Sequence, residues 1–167
     1  MKLNSLITPR TENLGVQISL HDFKKIMNNG QKKFHFKWLT ENSFAISLNF
    51  SFGTNILFDI NYPGTKSDII FYGSLFEKEE SKTEIVLKTK SKAFLIALLI
   101  ILPLLVIIFQ ILIKMDFPIF LVTFLLFPLL ILGVLSFIKS EENRLLGMFK
   151  KNLNNELNSL VNKTLSG

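Results

Sequence analysis

Two histidines, His21 and His35, are the residues best suited to metal or proton-transfer chemistry in this 167-residue chain. Neither has the company that chemistry needs. A metal site takes three or four ligands at ordered spacing, and the chain has no cysteine and no HExxH pair. His21 precedes Asp22 at a helix start. His35 falls on the outward positions of a strand pattern. Glu41, Asp59 and Asp68 sit on turns or strand exteriors, where a carboxylate is solvated by default. Gly64-Thr65-Lys66 shares three letters with a phosphate loop but lacks its flanks. There is no GxSxG, Walker or GxGxxG motif. No catalytic, cofactor-binding or metal residue is assigned, and the expectation is a protein that is not an enzyme and needs no cofactor.

The remaining polar candidates lie inside apolar sequence. Gln110, Thr123, Gly133 and Ser136, with Pro103 and Pro128, interrupt two long apolar runs. These six are the candidates for helix packing. Paired helix breaks at similar depth are how some transporters build a binding site. Intramembrane function usually brings an ionisable group as well. Neither run has one, so simple helix kinks are the preferred reading.

The two runs cover 93–113 and 117–138. Each is long enough to cross a hydrocarbon core of ~30 Å at ~1.5 Å per residue. Neither shows the polar face of a soluble amphipathic helix. They read as a transmembrane helical hairpin over 93–138, closed by Lys114-Met115-Asp116. Basic residues flank it: Lys88, Lys90 and Lys92 before, and Lys139, Arg144, Lys150 and Lys151 after. These seven are assigned to the membrane interface. The positive-inside rule then puts both termini in the cytoplasm of a two-pass protein of the bacterial inner membrane. The start of the chain shows no apolar signal-peptide core. The net charge of +6 divides into +4 before the hairpin and +2 after it. Beside a hairpin, that excess suits anionic headgroups better than nucleic acid, and no nucleic-acid partner is expected.

The elements around the hairpin follow from periodicity. Residues 1–13 are polar with a proline, and are expected to form a flexible arm. Leu14 to Ile18 suggests a short strand. Ser19 can cap a helix, with Asp22 three residues on and Ile18 and Phe23 placed as a hydrophobic staple. The helix should run from Leu20 to about Asn29, with Gly30 stopping it. From Lys33 the period becomes two. Strands are expected over Phe34–Trp38, Phe44–Phe52, Ile56–Tyr62, Asp68–Phe76 and Thr83–Thr89. Gly73 marks a bulge or a close approach. Glu77 to Lys82 is expected as a charged loop. The predicted core is Phe34, Phe36, Trp38, Phe44, Ile46, Leu48, Phe50, Ile56, Phe58 and Ile60. On this alternation Leu48→Ser destabilises strongly and Ser47→Leu does not. Residues 14–92 therefore form a cytosolic α+β domain, a helix on an antiparallel sheet of about five strands.

After the hairpin, Ser140 is placed to cap a new helix, with Glu141 and Glu142 in its first turn. Leu145, Leu146, Phe149, Leu153, Leu157, Leu160, Val161 and Leu165 recur at three and four. This makes 139–167 an amphipathic C-terminal helix, either separate or continuous with the second span. Its polar face carries asparagines rather than the lysines and aromatics of a membrane-surface helix. Docking back on the sheet is expected.

The order of elements resembles small uncharacterised two-span membrane proteins common in Bacteroidetes. The residues that carry it are Phe71-Tyr72-Gly73-Ser74-Leu75, Ser81-Lys82-Thr83-Glu84-Ile85, the hairpin, and the Glu141–Leu157 helix. The resemblance covers roughly Asn55 to Leu157 and implies no activity. Three function classes follow. The first is a membrane-anchored non-enzymatic binding or accessory module. The second is a small membrane partner, such as an immunity or accessory subunit, acting through its hairpin. The third, a lipid-active membrane enzyme, is disfavoured because such an enzyme needs polar catalytic groups near the interface. The expected partners are the lipid bilayer and a protein partner or a second copy of the chain.

Overall fold

The computed structural model describes residues 8–28, 33–48, 69–79, 82–90, 93–113 and 116–165. The elements in order are β1 (Thr11–Val16), α1 (Leu20–Asn28), β2 (Phe34–Thr40), β3 (Ser43–Leu48), β4 (Ile70–Glu79), β5 (Lys82–Thr89), α2 (Ala93–Ile113) and α3 (Phe117–Leu165). They divide into two compact units. Arg10–Lys90 and Glu141–Gly167 make one, and Met1–Pro9 with Ser91–Ser140 make the other.

The first unit is an α+β domain. Its five strands are all antiparallel, in the order β1-β5-β4-β3-β2. Five strands are formed among the described residues, and the set differs from the one expected. Residues Thr11 to Asn13, expected in a flexible arm, pair with Lys88 to Val86. The short strand expected over Leu14–Ile18 thus begins and ends earlier. A polar edge strand suffices here because β5 supplies the ladder partners. The strand expected over Ile56–Tyr62, and core residues Phe50, Ile56, Phe58 and Ile60, lie outside the described residues. The expected charged loop at Glu77–Lys82 is mostly strand, because β4 runs to Glu79 and β5 starts at Lys82. The Lys78–Glu84 ion pair at 2.8 Å crosses between the two strands.

The helix start forms as its residues dictate. The Asp22 amide donates to Ser19 Oγ at 3.1 Å, and Ser19 Oγ–H donates to the Asp22 carboxylate at 2.8 Å. Phe23 N–H closes the first turn on the Ser19 carbonyl at 3.0 Å. The apolar face of α1 buries Phe23, Ile26 and Met27.

Strand pairing sorts the sheet into two faces. Opposite residues Trp38↔Phe44↔Gly73↔Leu87 and Phe36↔Ile46↔Phe71↔Thr89 lie on one face. That face holds most of the buried core: Phe34, Phe44, Ile46, Leu48, Phe71, Leu75, Ile85 and Leu87. Phe36 and Trp38, predicted as core, are only half-buried because β2 is the last strand of the described sheet.

β3 departs from simple alternation. Ala45, Ser47 and, on β4, Ile70 belong to the opposite face and are buried as well. The expectation that Ser47 lies on the outer face, so that only Leu48→Ser destabilises strongly, is therefore corrected. Ser47 is fully buried, and its Oγ has no hydrogen-bond partner among the described residues. Hydrophobic alternation alone does not register burial on this second face. Ser47→Leu should overpack this site and cost ~1–3 kcal/mol, alongside a larger loss for Leu48→Ser. Ser47→Ala should be near neutral, since it removes an unbonded hydroxyl. Thermal unfolding of the three variants checks the order.

The second unit contains α2 and the apolar part of α3. Leu98 and Leu102 of α2 pack on Ile131 and Leu135 of α3. Both helices run unbroken through their prolines, Pro103 and Pro128. α3 is one helix of 49 residues. The expected cap at Ser140 is thus overturned. Nothing between Ile138 and Glu142 is a glycine or proline, so the span passes straight into the amphipathic tail.

Candidate functional site

The tail half of α3 lies on the aromatic face of the sheet. Leu145, Leu146, Phe149 and Leu153 are buried, the stripe expected from the three-and-four spacing. Phe149 sits 5.9 Å from both the Phe34 and Phe44 rings, at edge-on and stacked angles respectively. Phe44 is the hub. It also meets Phe23 at 6.0 Å, Phe36 at 5.1 Å and Trp38 at 5.8 Å. Trp38 directs its indole N–H to Asn28 Oδ1 at 2.7 Å, tying β2 to the end of α1. The rings fill the layer between sheet and helices with one another.

Gly73 explains how a ring as large as Phe44 fits. A Cβ at Gly73 would fall within the Phe44 ring. Of the two roles expected for this glycine, the close approach is the one seen, and β4 pairs regularly through it.

A polar strap runs along the edge of this apolar contact. Arg10 precedes β1 and is pinned to β5 by its backbone. Its N–H donates to Thr89 Oγ1 at 2.8 Å, and its carbonyl accepts from Thr89 N–H at 2.9 Å. Its guanidinium holds Glu12 Oε1 through Nε at 2.9 Å and a terminal nitrogen at 2.5 Å. The other terminal nitrogen donates to Asn143 Oδ1 on α3. Glu12 Oε2 in turn faces Lys150 Nζ at 3.5 Å. The bond from Arg10 holds the Glu12 carboxyl below the usual carboxylate range, against the opposing pull of burial, with Lys150 adding to the lowering.

The basic residues assigned to the membrane interface therefore divide. Lys88 and Lys151 are exposed, and Lys90 and Lys139 are partly so. Lys150 turns to Glu12, and Arg144 pairs with Glu141 at 2.8 Å. Lys92 lies outside the described residues. None of the six helix-packing candidates belongs to the described cluster of Leu98, Leu102, Ile131 and Leu135. Thr123 bonds within its own helix, to the Ile119 carbonyl at 2.8 Å. Gly133 and Ser136 are exposed, with nothing within 4 Å of a Cβ built at Gly133. Pro103, Gln110 and Pro128 are half-buried.

His21 is exposed on α1 and His35 half-buried on β2. Among the described residues no three His, Asp or Glu side chains gather as a metal site would require. Asp59, Asp68 and Gly64-Thr65-Lys66 lie outside the described residues. Sequence reasoning missed Arg10 and Glu12 altogether. The available signal was the charge alternation Arg10-Thr11-Glu12, whose side chains at i and i+2 share one face of a strand.

No protein-family model, no curated protein and no solved structure matches the chain.

Proposed function

We propose that this protein is a membrane-anchored, non-enzymatic binding or accessory module, held in a bacterial inner membrane by a two-span hairpin with both termini in the cytoplasm. One observation carries the reading. The apolar side chains of α2 and α3 are mostly exposed around a narrow seam. Ile111 is 71% exposed, Leu112 72%, Phe117 67% and Leu129 66%. In water so large an apolar surface would be covered by association, and hydrocarbon covers it without further protein. Among the described residues one helix, Phe117–Ser159, contains a stretch long and apolar enough to cross a membrane. Ala93–Ile113 is a 21-residue helix, apolar apart from Gln110.

The module is proposed to bind a protein through its outer surface. A ring-filled core and a tail stripe already covered by the sheet favour a surface partner over an enclosed small ligand.

The chain has no cysteine, so single introduced cysteines report topology directly. In spheroplasts, an impermeant maleimide should label Asp116→Cys from outside and Gly167→Cys only after lysis. Labelling of Gly167→Cys in intact spheroplasts would reject the orientation. Recovery of the protein in the soluble fraction after alkaline carbonate washing would reject the anchor. Affinity purification from native membranes in mild detergent then identifies the partner.

A further inference from the structure

The stripe that docks the tail of α3 repeats every four residues: Leu145, Phe149, Leu153, Leu157. Such a stripe specifies the face of the helix better than its axial position. Advance α3 by one turn, about 6 Å at ~1.5 Å per residue, and Phe149, Leu153 and Leu157 take the places of Leu145, Phe149 and Leu153. Lys150 takes the place of Leu146, with a stem long enough to carry its charge back to water. The opposite slip fails at once, because Glu141 and Glu142 would replace Leu145 and Leu146. One competing register therefore exists, apolar against apolar along most of its length.

We propose that the polar strap Arg10–Glu12–Asn143–Lys150 is a register key, which selects one axial position of α3 on the sheet from these two. Asn143 and Lys150 stand seven residues apart, two turns along one helix face. They meet Arg10 and Glu12, two residues apart on one face of the strand segment. Advanced by one turn, Arg10 faces Gly147, which offers no acceptor side chain, and Glu12 faces Asn154, which carries no charge. The sheet side of the key cannot follow the slip, because the Arg10 backbone is bonded both ways to Thr89. A polar contact used for register rather than for stability has precedent in helical assemblies. A one-turn ratchet of a packed helix is a recognised form of two-state switching. The key makes such a state available and disfavours it.

The inference rests on the docked tail and does not depend on the membrane reading. It is tested on the full chain in detergent micelles, with spin labels at Asn13→Cys and Asn155→Cys, both exposed positions. The wild-type background should give one narrow distance. The key is then moved one turn by four substitutions: Asn143→Gly, Gly147→Asn, Lys150→Met, which suits the buried place of Leu146 after the slip, and Asn154→Lys. They conserve net charge. The exposed strap is worth up to roughly fivefold in register preference, so moving it from one register to the other changes the ratio by up to roughly twenty-five-fold. The principal distance should move to a second value, consistent with a slip of about 6 Å. Adding Glu12→Gln should return it toward the original. Hydrogen exchange at the β3 amides shows whether the sheet is intact. If the shifted-key chain fails that check, Glu12→Gln alone decides, and it should add the second distance to the first. Acid should do the same to the wild type. The key is present above the ordinary glutamate range and is lost as pH falls through the lowered Glu12 value. Arg10 and Lys150 are the charged groups facing Glu12. Lys78→Met, which breaks the Lys78–Glu84 pair elsewhere on the sheet, should leave one distance. An unmoved distance in a folded shifted-key chain, or a single distance in Glu12→Gln, overturns the proposal and assigns register to the apolar seam.

Discussion

Phe44→Ala should lower the stability of the α+β domain by ~3–5 kcal/mol, the range for deleting a fully buried aromatic side chain. Phe44 is 0% exposed and touches four other rings: Phe23 from α1, Phe36 and Trp38 from β2, and Phe149 from α3. Its removal leaves a cavity walled by three different elements. Those walls are themselves fixed in the layer, so collapse into the space is limited. A domain of this size has a total stability of ~5–15 kcal/mol, so the loss is a large share of it. Phe36→Ala should cost less, because that ring is half-buried on β2. Trp38 is the sole tryptophan of the chain and lies 5.8 Å from Phe44, which makes its fluorescence a local reporter of urea unfolding. A midpoint change equivalent to under ~1 kcal/mol would show that the ring cluster does not carry the domain.

Gly73→Ala should be nearly as damaging for the opposite reason. The added methyl would occupy space already held by the Phe44 ring. A side chain at a free surface would swing aside. Phe44 is enclosed by rings from α1, β2 and α3, so either β4 moves away from β3 or the ring is driven from its rotamer. Overpacking of this kind costs ~1–3 kcal/mol, and more where the backbone must shift. The two substitutions should also couple. With Phe44→Leu in place the methyl has room, and the double variant should lose less than the sum of the singles by ~0.5–3 kcal/mol. Additivity within ~0.5 kcal/mol would mean that the two positions do not share the space the structure gives them.

Much of the local structure was determined by the sequence alone, because it depends on neighbours along the chain. Ser19 and Asp22 start α1 where their spacing predicts, and the described helix covers Leu20–Asn28, with the expected end at Asn29 and Gly30 outside the described residues. The period-two runs at Phe34 and Phe44 form paired strands, and the first half of the tail's three-and-four stripe, Leu145 to Leu153, is buried, while the side chains of Leu160, Val161 and Leu165 lie outside the description. The apolar runs at 93–113 and 117–138 form helices with those starts.

What only the tertiary structure decided are the contacts between residues far apart in sequence. β1 exists because β5 offers it a ladder, a partner seventy residues away that no local pattern of Thr11–Asn13 reveals. Ser47 is buried because β3 is covered on both faces, and alternation encodes only the face rich in aromatics. The role of Gly73 needed its register opposite Phe44, since a glycine in a strand reads equally as a bulge. Ser140 looks like a cap because capping residues are favourable at a helix start. A continuous helix needs no cap, and no residue nearby interrupts this one. Arg10 and Glu12 became a pair with Asn143 and Lys150 only once the sheet edge and the tail were side by side. Local preferences are worth tenths of a kcal/mol to about one each, and long-range packing that buries a Phe149 or a Phe44 outweighs them.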